Sequence, residues 1–392
     1  VTSSSTRGRD PASLRRHNVR VLLRHLHLHG PTSRAHLGKV TGLTRSAIAD
    51  LVGELTERGL AVETGPSQTT SGRGRPPLIV APCPDTARAL AVAVEVDTVR
   101  IRRIGFGGAL LEGAEVPHEA GQGEPERSIR QIAELVNEWI SDDDPPIALG
   151  VAVPGLVRAE DGMVARAPNL EWHELDLGAQ LRAGTGVSGP VVIGNEARLA
   201  TLAEHRRGAG QQSADLVYIS AEVGVGGGII ARNRLVTGTA GYGGELGHMI
   251  TNPGGRACHC GGRGCWETEI GADALLRQAG VRPKDRHAAL DELLTAAARG
   301  DSGALDAMRA LCTPVAIGLA NLVNVFNPER VVLGGLLQHL AQHVGEDLRK
   351  TLDELRGLPE LPVDLRPAEF GEDGRLLGAA EIAIDSFLNQ LG

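Results

Sequence analysis

The sequence predicts an α/β protein with an N-terminal winged helix-turn-helix and a larger body of two α/β lobes. Three observations lead there. Apolar residues recur every three and four positions over residues 12–63 and then give way to short strand-like runs. Strands, glycine-rich turns and helices follow in two successive halves. Charge divides in the same place: residues 1–80 hold 12 Lys and Arg against 5 Asp and Glu (+7), the remainder 28 against 43 (−15). A basic head on an acidic body points to a polyanionic partner for the head alone.

Within the head, Leu14, Val19, Leu22, Leu23 and Leu26 form the stripe of a first helix, which Gly30-Pro31 ends. Ser33 opens a second helix carrying Ala35, Leu37 and Val40 and stopping at Thr41-Gly42. Thr44 opens a third, with Ile48, Leu51, Val52 and Leu55 inward and Gly59 at its end. Leu60 with Val62, and Leu78-Ile79-Val80, read as the two strands of a hairpin around the Gly-, Ser-, Thr- and Pro-rich residues 65–77. Three helices and a two-stranded hairpin make a winged helix over residues 1–80. Its third helix would present Thr44, Arg45, Ser46 and Ala47 to base edges in a major groove, Arg45 reading guanine with two hydrogen bonds. Ser33 and Arg34 at the start of the second helix join them as expected DNA contacts. In the wing, Arg73 and Arg75 alternate with glycine before Pro76, a presentation that suits a narrow minor groove. Double-stranded operator DNA is the expected partner.

Residues 81–88, stiffened by Pro82 and Pro84, read as a linker. The first lobe is expected over 89–200 and the second over 201–392, with the C-terminal helices able to return to the first. Leu90–Val96 and Val99–Ile104 read as paired strands, Ile129–Ile140 as an amphipathic helix, and Ile147–Val153 and Val191–Ile193 as strands. The second half opens with a strand at Leu216–Ser220, passes the glycine-rich 224–228, and includes helix 305–325 and strand Arg330–Leu333. With 2% aromatic residues the core is aliphatic. No run of about 18 apolar residues suggests a membrane span. Residues 1–10 lack the apolar stretch of a secretory signal, so a cytoplasmic protein is expected.

Three of the five cysteines, Cys258, Cys260 and Cys265, fall within eight residues, and His248 lies shortly before them. Three thiolates and an imidazole suit tetrahedral Zn²⁺, and the interspersed glycines let the chain fold round the ion. His259 is squeezed between two ligands, so His248 is the expected fourth. The set leaves no open position, which makes the zinc structural.

These features together resemble the ROK family, named for repressors, open reading frames and kinases. The resemblance is carried by YISAEVGVGGGII and GTAGYGGELGH within Val217–His248, and by the CxCGxxGCxE run ending at Glu267. It implies an actin-like ATPase fold of two lobes, a sugar in the cleft and a structural zinc. It also implies sugar contacts at Gly155 in the VPG turn, Asn169 in APNLEW, Asn195 and Glu196, Glu245 and His248 in GELGH, and Glu267.

Departures from the kinase pattern lead away from an enzyme. Where kinase members carry a D-x-G-G-T-K turn, this chain reads Glu95-Val96-Asp97-Thr98-Val99-Arg100; where they carry G-T-G, it reads Glu222-Val223-Gly224. A carboxylate in each phosphate-facing turn is expected to repel nucleotide. Glu196 replaces the kinase Asp, and Arg198 stands where family members often have Asn. The expectation is a sugar-responsive repressor, acting as a homodimer or homotetramer because one winged helix reads one half-site. A bifunctional sugar kinase and regulator is one alternative, and a DNA-binding protein with no small ligand, using the body only to dimerise, is the other.

Overall fold

The computed structural model describes residues 11–64, 78–85, 87–118, 123–141, 143, 145–282, 285–356 and 362–391. The chain forms two compact units. The first runs to Ala152 and adds Leu177–Ile193 and Ala379 onward; the second is Val153–Asp176 with Gly194–Gly378. Both cross the ranges 89–200 and 201–392 read from sequence, since residues 153–176 belong to the second unit and the last stretch to the first.

The head opens the first unit. Helix α1 (Pro11–His29) buries Val19, Leu22, Leu23 and Leu26, and Gly30 ends it at φ 72°, its N–H reaching Leu26 O at 2.9 Å. Leu14 is exposed, because periodicity marks a face but not how far along it a partner reaches. After β1 (Thr32–Ser33) comes α2 (Arg34–Thr41), capped where the Ser33 hydroxyl accepts the His36 N–H at 3.1 Å. Of its three apolar positions Leu37 is buried and Val40 is exposed. Gly42, at φ 73°, turns the chain into α3 (Arg45–Glu57), which Thr44 caps and which buries Ile48, Leu51, Val52 and Leu55. Strands β2 (Ala61–Thr64) and β3 (Ile79–Pro82) form the hairpin, and β1 adds a third strand in the order β1-β3-β2. A two-residue strand leaves no period to read, which is why the sequence suggested two. Register also reverses one expectation: Ala61 is buried, whereas Val62 faces outward opposite Ala81. Pro82 ends β3, so the 81–88 linker range begins inside a strand.

The chain continues through β4 (Arg88–Val94), β5 (Thr98–Gly105), β6 (Ala109–Pro117), α4 (Pro125–Glu138) and β7 (Ala148–Val153). In the second unit, β8 (Leu156–Val157), β9 (Val164–Ala167) and β10 (Trp172–Leu175) make a small antiparallel sheet. Helix α5 (Leu177–Gly184) and β11 (Val191–Asn195) return to the first unit, whose main sheet runs β11-β7-β4-β5-β6. All six residues of β7 are buried, as befits a strand parallel to β4 and covered on both faces. At the edge, β6 is mostly exposed, and its Glu112 and Glu115 pair with Arg103 and Arg100 of β5 at 3.4 and 3.1 Å.

The larger part of the second unit starts with α6 (Glu196–Arg207), β12 (Leu216–Ala221), β13 (Val225–Ala231) and β14 (Arg234–Leu235). Helices α7 (Glu267–Ile270), α8 (Ala272–Gln278), α9 (Arg286–Ala298) and α10 (Ser302–Phe326) follow. Strand β15 (Arg330–Gly335), α11 (Leu336–Leu355), β16 (Asp364–Pro367) and α12 (Asp373–Gln390) complete the chain. The sheet order is β14-β13-β12-β15-β16, with β12, β15 and β16 parallel. The glycines at 226–228 are part of β13, not a loop. Gly226 and Gly228 are small because α6 lies close against that strand: a Cβ on Gly226 would stand 2.6 Å from the Ala197 Cβ, and one on Gly228 would overlap Thr201. A Cβ on Gly227 would instead meet the Tyr218 carbonyl at 2.6 Å and the Leu246 side chain at 2.9 Å. Although α10 is long and apolar enough to cross a membrane by length and composition, its Met308, Leu311, Val315, Leu319 and Leu322 are core residues of this unit.

Candidate functional site

The start of α6 is held by a side chain from the preceding strand. Asn195 Oδ1 accepts the Arg198 N–H at 3.0 Å, capping the helix, and its Nδ2 donates to Gly155 O at 2.8 Å. Gly155 is at φ 104°, where a Cβ would overlap the Arg166 carbonyl, so the VPG turn needs glycine. Two of the Asn195 hydrogen-bonding positions are thus used internally, leaving one N–H and one lone pair for a ligand. Glu196 begins α6, and its Oε2 receives Arg375 Nη1 at 3.3 Å. Arg375 Nη2 donates to both oxygens of Glu222, at 2.9 and 3.2 Å. One buried guanidinium therefore joins two carboxylates that lie 179 and 153 residues away in sequence.

A second group gathers round the cysteines. Glu245 precedes the turn Leu246–His248, and its Oε2 is 4.0 Å from His248 Nε2. Burial raises the Glu245 carboxyl above its ordinary pKa, with His248 and then Arg198 pulling it down. Glu267, the first residue of α7, accepts the Val225 N–H at 3.1 Å and the Cys258 thiol at 3.4 Å. Arg198 is buried; its Nη1 donates to Gly241 O and its Nε has no partner among the described residues. Burial lowers its pKa, and the charge of Glu245 opposes that. All seven residues expected to bind sugar belong to the second unit. Gly155, Asn195 and Glu196 meet at α6; Glu245, His248 and Glu267 meet at the cysteines; Arg198 acts on both groups. Asn169 is exposed in the turn Pro168–Leu170 between β9 and β10, whose Leu170 is buried.

The ligand atoms of His248, Cys258, Cys260 and Cys265 all lie within 4.8 Å of one another. Cys260 and Cys265 Sγ are 3.6 Å apart, and Cys258 Sγ is 3.8 Å from His248 Nδ1. Zn–S bonds of about 2.3 Å and Zn–N bonds of about 2.0 Å give tetrahedral edges of roughly 3.5–3.8 Å. The residues present therefore fit a tetrahedral metal. His248 turns Nδ1 to the thiols, which leaves Nε2 facing Glu245.

On the head, Thr44, Arg45 and Ser46 are exposed at the start of α3. Thr44 Oγ1 accepts the Ala47 N–H at 3.3 Å and lies 3.2 Å from Ser46 Oγ. Ser33 is occupied as the α2 cap. Arg34 departs from expectation: its guanidinium is held by Glu63 of β2 through two nitrogens, so it braces the head instead of offering a free cation. Arg73 and Arg75 lie outside the described residues.

The two carboxylates expected to repel nucleotide are each compensated. Glu222 is paired with Arg375; Glu95 accepts from Thr98 Oγ1 at 3.0 Å and has Arg100 Nε at 3.8 Å. Uncompensated like charge is therefore not what distinguishes these turns. In the first of them the Glu95 N–H donates to Thr98 O at 2.9 Å, closing a turn without glycine. Arg375 escaped the sequence reading because it follows no motif and reaches its partners only through the fold.

A head of this form on a body of this form defines a class, and residues 104–386 match the ROK family: the chain belongs to that family. Over 391 residues it is 29% identical to the xylose repressor of Bacillus subtilis (strain 168), an alignment covering 97% of this chain and 98% of that one. Among solved structures it is similar to a ROK family transcriptional regulator, a homolog of the E. coli MLC protein. That match has TM-score 0.78 and 27% identity, and covers 96% of this chain and 98% of the other. It is also similar to a ROK family glucokinase from Streptomyces griseus in complex with glucose and AMPPNP, with TM-score 0.68 and 27% identity, over 76% of this chain and all of the other. The protein is thus α/β, with a helical N-terminal region preceding a ROK sugar-kinase-like fold.

Proposed function

We propose that this chain is a cytoplasmic, sugar-responsive transcriptional repressor that binds operator DNA through α3 and the wing and takes a sugar in the second unit. The observation that carries the reading is that its likeness to a repressor spans the head as well as the body. Thr44, Arg45, Ser46 and Ala47 would face the major groove, and Arg73 and Arg75 the minor groove. Gly155, Asn169, Asn195, Glu196, Glu245, His248 and Glu267 would hold the sugar, carboxylates accepting from vicinal hydroxyls. His248, Cys258, Cys260 and Cys265 would hold a structural zinc, which fixes the His248 ring and leaves Nε2 to donate to the ligand. Two copies would bind one operator, each reading a half-site.

Calorimetric titration of the purified protein with D-xylose, D-glucose and N-acetylglucosamine tests the reading, alongside binding to a duplex selected from a random-sequence library. At least one sugar should bind and change operator affinity tenfold or more. If none binds and none alters operator affinity, the sugar-responsive reading fails. The kinase alternative draws support from the likeness to a glucokinase and from the charge compensation of Glu222. Against it stand the glycine-free turn at Glu95–Thr98 and the replacement of the kinase Asp by Glu196. A coupled assay with ATP, Mg²⁺ and each sugar should show no turnover.

A further inference from the structure

Helix α12 is one continuous helix, Asp373–Gln390, whose first turns belong to the second unit and whose remainder belongs to the first. In the second unit it is locked to α6, the helix that begins with Glu196. Gly378 lies so close to Leu199 of α6 that a Cβ would overlap the Leu199 carbonyl, and Gly374 packs against Ala200. Arg375, buried on the same helix, binds Glu196 and Glu222.

In the first unit the same helix holds the head. His27 and Glu381 are both fully buried and meet at 3.1 Å. The Gly107 N–H donates to His27 Nδ1 at 3.0 Å, so His27 carries its proton on Nε2 and donates it to Glu381. One and two turns further along, Asp385 and Asn389 accept from Arg24 at 3.2 and 3.3 Å, and the Asn389 carbonyl accepts from Arg20 at 3.4 Å. Arg20, Arg24 and His27 are spaced to share one face of α1, and Glu381, Asp385 and Asn389 one face of α12. Between the two sets of contacts, Gly150 of β7 meets Ala379 with no room for a Cβ.

We infer that Arg375 is the residue that reports occupancy of the sugar site to the DNA-binding head, with α12 as the connecting element. The inference rests on the sugar-responsive reading above. A sugar hydroxyl that hydrogen-bonds Glu196 competes with Arg375 for the same carboxylate. Arg375 then shifts toward Glu222, and α12, gripped at Gly378 and Ala379, carries that change to the seam at His27 and Arg24. Six residues, about 9 Å of helix, separate Arg375 from Glu381. Only a difference in sugar affinity between the two arrangements can drive this, and the coupling is reciprocal.

The full chain tests it, with D-xylose and D-glucose as probes and operator affinity measured with and without sugar. Arg375→Gln should reduce the sugar-induced change in operator affinity at least tenfold, and Arg375→Lys should restore part of it. The double variant Asp385→Ala/Asn389→Ala, remote from the sugar residues, should bind sugar within threefold of the parent yet lose most of the response. Without any sugar, Arg375→Gln should also speed hydrogen exchange of the α1 amides at Leu22–Leu26, which a role confined to the second unit would leave unchanged. An undiminished sugar response in both variants, with unchanged α1 exchange, overturns the inference. If the parent chain itself gives no sugar response, the sugar-responsive reading has failed, and α1 exchange in Arg375→Gln still decides whether α12 links the two ends.

Discussion

Glu267 illustrates how one carboxylate can serve two neighbours. One oxygen fixes the β13 backbone at Val225, which orients the side chain before any ligand arrives, and the other meets Cys258 while that thiol keeps its proton. A hydrogen bond to such a charged acceptor contributes about 1.5–3 kcal/mol. Glu245→Ala and Glu267→Ala should each weaken sugar binding tenfold or more in calorimetry, and the pair should yield a protein that holds operator regardless of sugar. At the head, His25 has ring neighbours His29 at 4.6 Å and His36 at 5.7 Å. Burial, then the charges of His29 and His36, lower its pKa below the ordinary value of about 6.5. A base depressed in the folded state binds fewer protons there than when unfolded, so its stabilisation is present above about pH 6.5 and is lost as pH falls through the folded value. Melting of the chain followed from pH 8 to pH 5 should show this loss, and His25→Gln should flatten it. The gathering of His248 with three cysteines, and of Glu245 beside it, was legible in sequence because these residues are closely spaced along the chain. The pairing of Arg34, by contrast, could not be read, because its partner Glu63 lies on a strand whose register the sequence does not fix. Arg375 was invisible for the same reason on a larger scale.

Among the elements, caps and glycines make the tightest demands. Thr44 both starts α3 and stands at its exposed end, so Thr44→Ala should cost about 1 kcal/mol of head stability and weaken operator binding with it. Gly226 is required by the approach of α6 to β13. Gly226→Ala should lower stability by roughly 1–3 kcal/mol in chemical denaturation, whereas Gly254→Ala, with nothing within 4 Å, should change little. The helices of the head were readable because each has an apolar stripe of the right period and a glycine stop, and α2 and α3 each open on a polar cap. Strand β1 was not, being two residues long, and the strand at 225–231 was hidden in its glycines because the neighbours that select them, Ala197 and Thr201 of α6 and Tyr218 of β12, are distant in sequence. Removing metal from the His248–Cys265 knuckle with a chelator should abolish the sugar response, since the same turn positions His248 and Glu267.

Across the whole molecule the decisive asymmetry is electrostatic. The head carries +7 and the rest −15, so the proposed attraction to DNA would have to come from a small part of a chain whose net charge is −8. The acidic remainder would resist non-specific association with nucleic acid, leaving affinity to the few cations the head can place on phosphates. Arg34 is already committed to Glu63, and Arg20 and Arg24 are engaged with α12, which narrows the set further. On the proposed reading Arg45, at the exposed start of α3, together with Arg73 and Arg75, would then carry a disproportionate share. Each phosphate contact contributes about 0.9 to the slope of log affinity against log salt. Replacing Arg73 and Arg75 together with alanine should therefore weaken binding to every duplex by a similar factor and shallow that slope by about 2. Arg45→Ala should instead cost about 1–3 kcal/mol on the selected operator and much less on unrelated DNA. Affinities measured from 50 to 300 mM KCl on both duplexes separate the two roles. A wing variant that lost affinity on the operator alone, with its salt slope intact, would assign the wing to base reading and leave the phosphates to the helices.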